Sequence, residues 1–309
     1  MNLPVFVLRV IAFLQAFICF LTSGVFWTEV TYPSEPVILP PPENAAVLDL
    51  DRFTLTWCDE FDGTGVDAAR WTGYKCGGDE SVTRMGAYWN TDLASVENGS
   101  LHIQTKYYKE GFEGGRRGWY SCGICTDGLF EQTYGYFEVR CILPKGVGMW
   151  AAFWMMPHGI NSSVGNGGVD GAEIDIFESP NYHYKLSDDV SVVTSSIHYD
   201  AYGSEHRHET VCTAFLEDCD PYETYNTYGV EWNEEEYIFY INGIETGRTN
   251  FGGASQVPEY MILNCNVNGV EGFPLNGYAG DALTFDSAQP TDLVVDYVRV
   301  YQYQSWIGQ

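Results

Sequence analysis

Positive charge is scarce in this sequence. Its 309 residues carry 15 Lys and Arg against 42 Asp and Glu, a formal net charge of −27. A surface this acidic argues against nucleic acid as a partner, because a phosphate backbone is bound through clustered basic side chains. It also disfavours heavily sulfated polysaccharides, and it leaves neutral sugars compatible. Beyond residue 27 no apolar run is long enough to cross a membrane as a helix. No helical period is sustained, and no repeat of 20–50 residues occurs. A convincing metal motif is missing as well. Cys122-Gly-Ile-Cys125 has zinc-ligand spacing but no second clear pair.

What is abundant points to strands. Aromatic residues make up 16 % of the chain, with 22 Tyr and 9 Trp, and there are 33 Gly. Tyr, Val and Thr suit strands, and glycine suits the turns between them. Ser100–Thr105 alternates and follows the turn signal Asn98-Gly99. Further strands are predicted over Tyr134–Leu143, Met149–Met156, Ser191–Tyr199, Tyr225–Trp232, Tyr237–Ile241, Tyr260–Val267 and Leu293–Tyr303. Many strands at short spacing without intervening helices imply an all-β sandwich or barrel.

The N-terminus reads differently. Arg9 precedes the apolar run Val10–Leu21 and the small residues Thr22-Ser23-Gly24, so residues 1–27 are predicted to be a signal peptide. No Ala-x-Ala site follows, and an uncleaved membrane anchor is the alternative. Residues 28–46 hold Pro33, Pro36 and Pro40-Pro41-Pro42 and are predicted to be an extended linker. The folded domain is then expected to span 47–309, and the protein to be secreted and monomeric. Cys19 lies in the leader, and the other eight cysteines are an even number, consistent with disulfides in an exported protein. Cys212 with Cys219 and Cys122 with Cys125 are candidate pairs.

The most informative stretch is Glu173-Ile-Asp-Ile-Phe-Glu178. In a strand, side chains alternate, so Glu173 and Asp175 share a face. Glu178 is an odd number of positions from both and would face away. One surplus residue, a β-bulge at Ile176 or Phe177, returns it to the shared face. The two glutamates are then ~13 Å apart at Cα, and side chains leaning inward bring the carboxyls to about 5 Å. That separation suits a retaining glycosidase, in which one carboxylate attacks the anomeric carbon and the other protonates the leaving oxygen. A solvated acidic face is the competing reading of this stretch.

Several ordered segments together carry a resemblance. Asp59-Glu-Phe-Asp-Gly63, Tyr134-Gly-Tyr-Phe-Glu138, Leu143-Pro-Lys-Gly146, Ala152-Phe-Trp154, the acidic stretch itself, Tyr228-Gly-Val-Glu-Trp232 and Val295-Asp-Tyr-Val-Arg-Val-Tyr301 resemble glycoside hydrolase family 16, the laminarinase-like β-glucanases. The acidic stretch matches the family's E-x-D-x-x-E signature, in the branch that contains the bulge. The resemblance implies a β-jelly roll of two curved antiparallel sheets, with a cleft across the concave face. It implies Glu173 as nucleophile, Asp175 as assisting acid and Glu178 as general acid/base, with no cofactor needed for the chemistry. Trp150, Trp232, His198, Asn90 and Asn264 become candidate substrate contacts, each with a structural role as the alternative. A structural calcium ion, held by Glu60, the Gly99 carbonyl and Asp296, is a further implication. His206-Arg207-His208 is expected to be a solvated loop rather than a metal site.

The expected activity is endo-hydrolysis of β-1,3- or mixed β-1,3-1,4-glucan. A red-algal galactan as substrate, transglycosylation, or non-catalytic glucan binding are the alternatives. The loops at 106–128 and 159–171 depart from laminarinase-like patterns, which leaves the substrate more open than the mechanism.

Overall fold

The computed structural model of the chain describes residues 37–39, 46–74, 83–84, 86–144, 149–161, 164–179, 191–216, 221–267, 269–270, 273–274 and 291–307. The leader, Cys76 and Cys219 lie outside them. Two sheets make up nearly all of the described chain. The eight strands of the first are β1 (Val37–Leu39), β2 (Thr72–Gly73), β3 (Gly123–Cys125), β4 (Met149–Pro157), β5 (Glu173–Glu178), β6 (Ser191–Tyr199), β7 (Arg207–Leu216) and β8 (Glu259–Val267). They lie side by side in the order β1-β7-β6-β5-β4-β8-β3-β2. All but the β1–β7 pair run antiparallel. The second sheet holds 11 strands, with Gly135–Ile142 between Asn226–Trp232 and Thr291–Tyr303 at its centre. This is the expected jelly-roll sandwich.

Alternation along each strand builds the core. On β4, Met149, Ala151, Phe153 and Met155 point into the gap between the sheets. They meet Phe137, Val139, Val298 and Val300 of the second sheet. Each of the Met, Phe and Val side chains, fully buried, contributes about 1.5–3 kcal/mol. The intervening residues Trp150, Ala152, Trp154 and Met156 face outward, on the same side as the acids of β5.

Three expectations change here. Residues 37–39 do not belong to a free linker. The Val-Ile-Leu between the prolines pairs in parallel with Ala214–Leu216 of β7. Proline-flanked apolar residues suit an edge strand, where missing N–H groups cost little. His206-Arg207-His208 is not a solvated loop either: Arg207 opens β7, and His206 and His208 are half-buried.

No disulfide forms among the described residues, and the expected Cys212–Cys219 pair lies partly outside them. Cys58, Cys122, Cys125, Cys141, Cys212 and Cys265 are free thiols. Cys122 lies in the inter-sheet core and Cys125 on the outer face. Three extended steps put their Cα atoms ~10 Å apart, beyond the reach of a disulfide. Burial pushes the Cys125, Cys212 and Cys265 thiols up to about 11 and raises Cys122 further. Such thiols stay protonated at neutral pH and are poor metal ligands.

Candidate active site

The acids owe their arrangement to one surplus residue. Asp175 pairs with Trp154 on one side and Ser196 on the other, and Glu178 pairs with Ala152 and Thr194. Two steps on each neighbour therefore match three steps on β5. Phe177 pairs with Phe153, so Ile176 is the extra residue. Its carbonyl accepts a hydrogen bond from the Ser195 hydroxyl at 2.9 Å, which satisfies a backbone group that the ladder leaves out. The bulge lies where the spacing of the acids places it. Ile174, Ile176 and Phe177 are buried, and Glu173, Asp175 and Glu178 line one outward cavity.

Trp150, Ala152, Trp154, Asn264 and Asn266 complete that cavity. The indole N–H of Trp150 donates to Glu178 Oε1 at 2.8 Å. Trp154 donates to Asn264 Oδ1 at 2.6 Å and meets the Tyr74 ring edge-on, with centroids 5.6 Å apart. Asn264 Nδ2 and Asn266 Oδ1 are buried without a partner among the described residues. A buried amide group costs free energy unless it is satisfied, so both are suited to receive sugar hydroxyls. Gly123 pairs with Asn264, and its lack of a side chain makes the space: a Cβ there would come within 2.7 Å of the Trp89 ring and 2.9 Å of Asn264 Cβ.

At the other end of β5, His198 Nε2 lies 3.2 Å from Asp175 Oδ2, and its Nδ1 lies 3.0 Å from His206 Nε2. The imidazoles of His198, His206 and His208 form a stacked group, with interplanar angles of 11–21°. Burial, with the other two imidazoles, pushes His206 down to about 4. The hydroxyl of Tyr202 donates to Glu173 Oε2 and lies 3.5 Å from Met156 Sδ.

Below the acids sits Glu259, fully buried. Its Oε1 accepts from the N–H of Ala172, the residue before Glu173, at 3.3 Å. Burial pushes its carboxyl up to about 8, and the charge of Glu173 adds to the rise. The folded state therefore holds this proton over a range where the unfolded chain has lost it. Its contribution is complete below the ordinary value of 4.5 and is lost as pH rises through about 8. Every tenfold gain in proton affinity on folding is worth about 1.4 kcal/mol. Thermal melts are expected to show wild type losing stability from pH 5 to pH 9, and Glu259→Gln, with no proton to lose, losing much less. Parallel curves for the two proteins would contradict this.

Not every candidate residue comes to the cavity. Trp232 is fully buried between the sheets, where it packs beside Phe137 and donates to the Ser255 carbonyl at 2.9 Å. It shares a face with Tyr228 and Val230, both core residues, so it is a core tryptophan rather than a cleft one. Asn90 caps the short turn Thr91–Leu93, its side chain accepting from Asp92 N at 2.8 Å. It does not line the cavity. Two of the implied calcium ligands, Glu60 and Asp296, meet arginine side chains. Glu60 is held by both nitrogens of a forked Arg299 contact at 2.8 Å, and Asp296 is paired with Arg140. Each carboxylate already faces a guanidinium, so this donor set does not fit a divalent cation. Gly99 stands in a left-handed turn, φ +78°.

Two residues of the site escaped the sequence. Tyr202 lies in a loop with no periodicity, and only its nearness to His198 along the chain hints at it. Glu259 opens a strand whose acidic end looks like any solvated terminus.

Comparisons with known proteins bear on this geometry. Residues 54–303 match the family model described as beta-porphyranase A-D, GH16 domain. The chain is 31 % identical to a β-glucanase of Rhodothermus marinus over 276 residues, covering 82 % of this chain and 86 % of the relative. It is 29 % identical over 212 residues to an endo-1,3-1,4-β-glycanase of Rhizobium meliloti, covering 67 % of this chain and 39 % of the relative. The chain thus spans about two fifths of the length of that relative. Among solved structures, the laminarinase catalytic domain of Thermotoga maritima superposes with a TM-score of 0.62 at 26 % identity, over 81 % of this chain and 98 % of that one.

Proposed function

The chain belongs to glycoside hydrolase family 16, and from that premise we propose that it is a retaining endo-hydrolase of β-1,3- or mixed β-1,3-1,4-glucan. The observation that carries the reading is the bulge at Ile176, which turns Glu178 to the side of Glu173 and Asp175. Glu173 attacks the anomeric carbon, while Glu178 gives its proton to the departing oxygen. A water molecule then attacks the same carbon, passes its proton to Glu178, and releases Glu173. The Trp150 indole keeps the Glu178 carboxyl turned toward the leaving group through Oε1. Asp175, with His198 Nε2 3.2 Å from its Oδ2, stands between the two partners on the same face of the strand. Trp150, half-buried at the cavity, offers the apolar surface that sugar C–H faces need.

A galactan substrate is the second reading. Its support is the porphyranase description of the matching family model. The net charge of −27 opposes a sulfated substrate. Purified protein incubated with laminarin, barley β-glucan, lichenan, agarose and porphyran separates the two. Oligosaccharides from a glucan are the expected result. Cleavage of agarose or porphyran alone would overturn the glucan reading.

The apolar start of the chain supports export, and a polymeric substrate requires it. A calcium ion at Glu60 and Asp296 would first have to displace two guanidinium groups.

A further inference from the structure

We propose that the Tyr202 hydroxyl is a catalytic hydrogen-bond donor: it holds Oε2 of Glu173 and leaves Oε1 to attack the anomeric carbon. The inference rests on the hydrolase reading above and assigns a residue that the E-x-D-x-x-E signature does not contain.

Three observations carry it. The phenol donates directly to the carboxylate assigned as nucleophile. The ring is 50 % exposed, so it fills no core. The backbone that delivers it is set against its own preference: Asp200 and Ala201 both adopt φ +60°. Left-handed backbone at two successive non-glycine residues is unfavourable and persists only where the surroundings fix it. Here the surroundings do. Asp200 is buried, and its Oδ1 accepts from the Gly165 N–H at 2.9 Å, which ties the turn to the loop before β5. The turn aims the phenol at the acids instead of at solvent.

The chemistry needs a donor at this point. The titratable groups around Glu173 are Asp175 and Glu178 on its own strand, His198 and His206 beyond Asp175, and Glu259 beneath. Any of these carboxyls that is ionised repels its charge, and the imidazoles lie against Asp175 and each other. A neutral phenol favours the charged carboxylate without adding a competing charge. When Oε1 bonds to the anomeric carbon, the bond to the leaving oxygen breaks and that oxygen takes the Glu178 proton. Oε2 becomes the ester carbonyl and still accepts from Tyr202. When water replaces Glu173, the returning negative charge on Oε2 finds the same donor.

Tyr202→Phe tests this, because it removes only the hydroxyl. The readouts are the pH profile of kcat/KM on barley β-glucan, the melting temperature, and a ¹³C NMR titration of the Glu173 carboxyl in the free enzyme. The expected result is a loss of roughly 10–100-fold, mainly in kcat, with an unchanged melting temperature. The acidic limb and the NMR titration both move to higher pH, by about one pH unit or less. A purely structural role would lower the melting temperature and leave the titration in place. An unmoved titration, or kcat/KM within twofold of wild type, overturns the proposal. If wild type cleaves no polysaccharide at all, the hydrolase reading fails, while the titration still decides whether Tyr202 donates to Glu173.

Discussion

Glu173→Ala is expected to lower kcat by roughly 10⁴–10⁶-fold, the scale on which removing a nucleophile acts. The fold should survive, because Glu173 is half-buried on the outward face and fills no core position. Glu178→Ala is expected to be as damaging on polysaccharide, for a different reason: the leaving oxygen departs unprotonated. Azide separates the two roles. With an activated aryl glycoside, Glu178→Ala still forms the glycosyl-enzyme through Glu173, and azide resolves it to the β-glycosyl azide. In Glu173→Ala, azide enters the vacated space and gives the α-anomer. The anomeric proton coupling in the product NMR spectrum reads the outcome. The reverse pattern would exchange the two assignments, and full activity in Glu173→Ala would remove the mechanism altogether.

The second large effect falls on stability. Trp232→Ala is expected to cost about 3–5 kcal/mol, since it empties a fully buried indole site and strands the Ser255 carbonyl. For a domain of this size that is a fall of roughly 6–20 °C in melting temperature. Trp232→Phe should keep KM within about twofold. Trp150→Phe should do the opposite: an ordinary melting temperature, with kcat lowered because Glu178 loses the indole donor. Calorimetry paired with kinetics on both variants decides the matter. A Trp232→Phe enzyme that melts normally but has lost its substrate affinity would return that residue to the cleft.

The contrast between these two tryptophans shows what the sequence could and could not carry. Strand positions were legible because Val, Ile, Tyr and Phe cluster between glycines and prolines. The bulge was legible because three acids have only one way to share a face with two Ile and one Phe between them. The face of a given tryptophan was harder, since a strand has two equivalent sides until its sheet is known. Trp232 did carry a signal: Tyr228 and Val230 share its parity, and Glu231 on the other side binds Arg52 at 2.6 Å. That the implied calcium carboxylates face Arg140 and Arg299 was not legible, because no local pattern announces such pairs. Tyr202 was invisible because a loop conformation, not a period, delivers it. The eight cysteines behind an apolar leader suggested disulfides, but the six among the described residues are free thiols.

The bulge at Ile176 has a meaning beyond chemistry. Within six residues it sends three carboxylates outward and Ile174, Ile176 and Phe177 inward, where Phe177 meets Tyr228 of the opposite sheet at 4.6 Å. No other alignment of this strand against β4 and β6 satisfies both sides. A slip of one position would drive an acid into the gap between the sheets and push an apolar side chain into water. Burying a lone charge there would cost several kcal/mol, a large share of the 5–15 kcal/mol that separates a typical folded domain from its unfolded chain. The three acids thus also serve as a mark that fixes the register of this strand against its neighbours. Neutralising all three acids at once should therefore loosen the fidelity of assembly as well as abolish turnover.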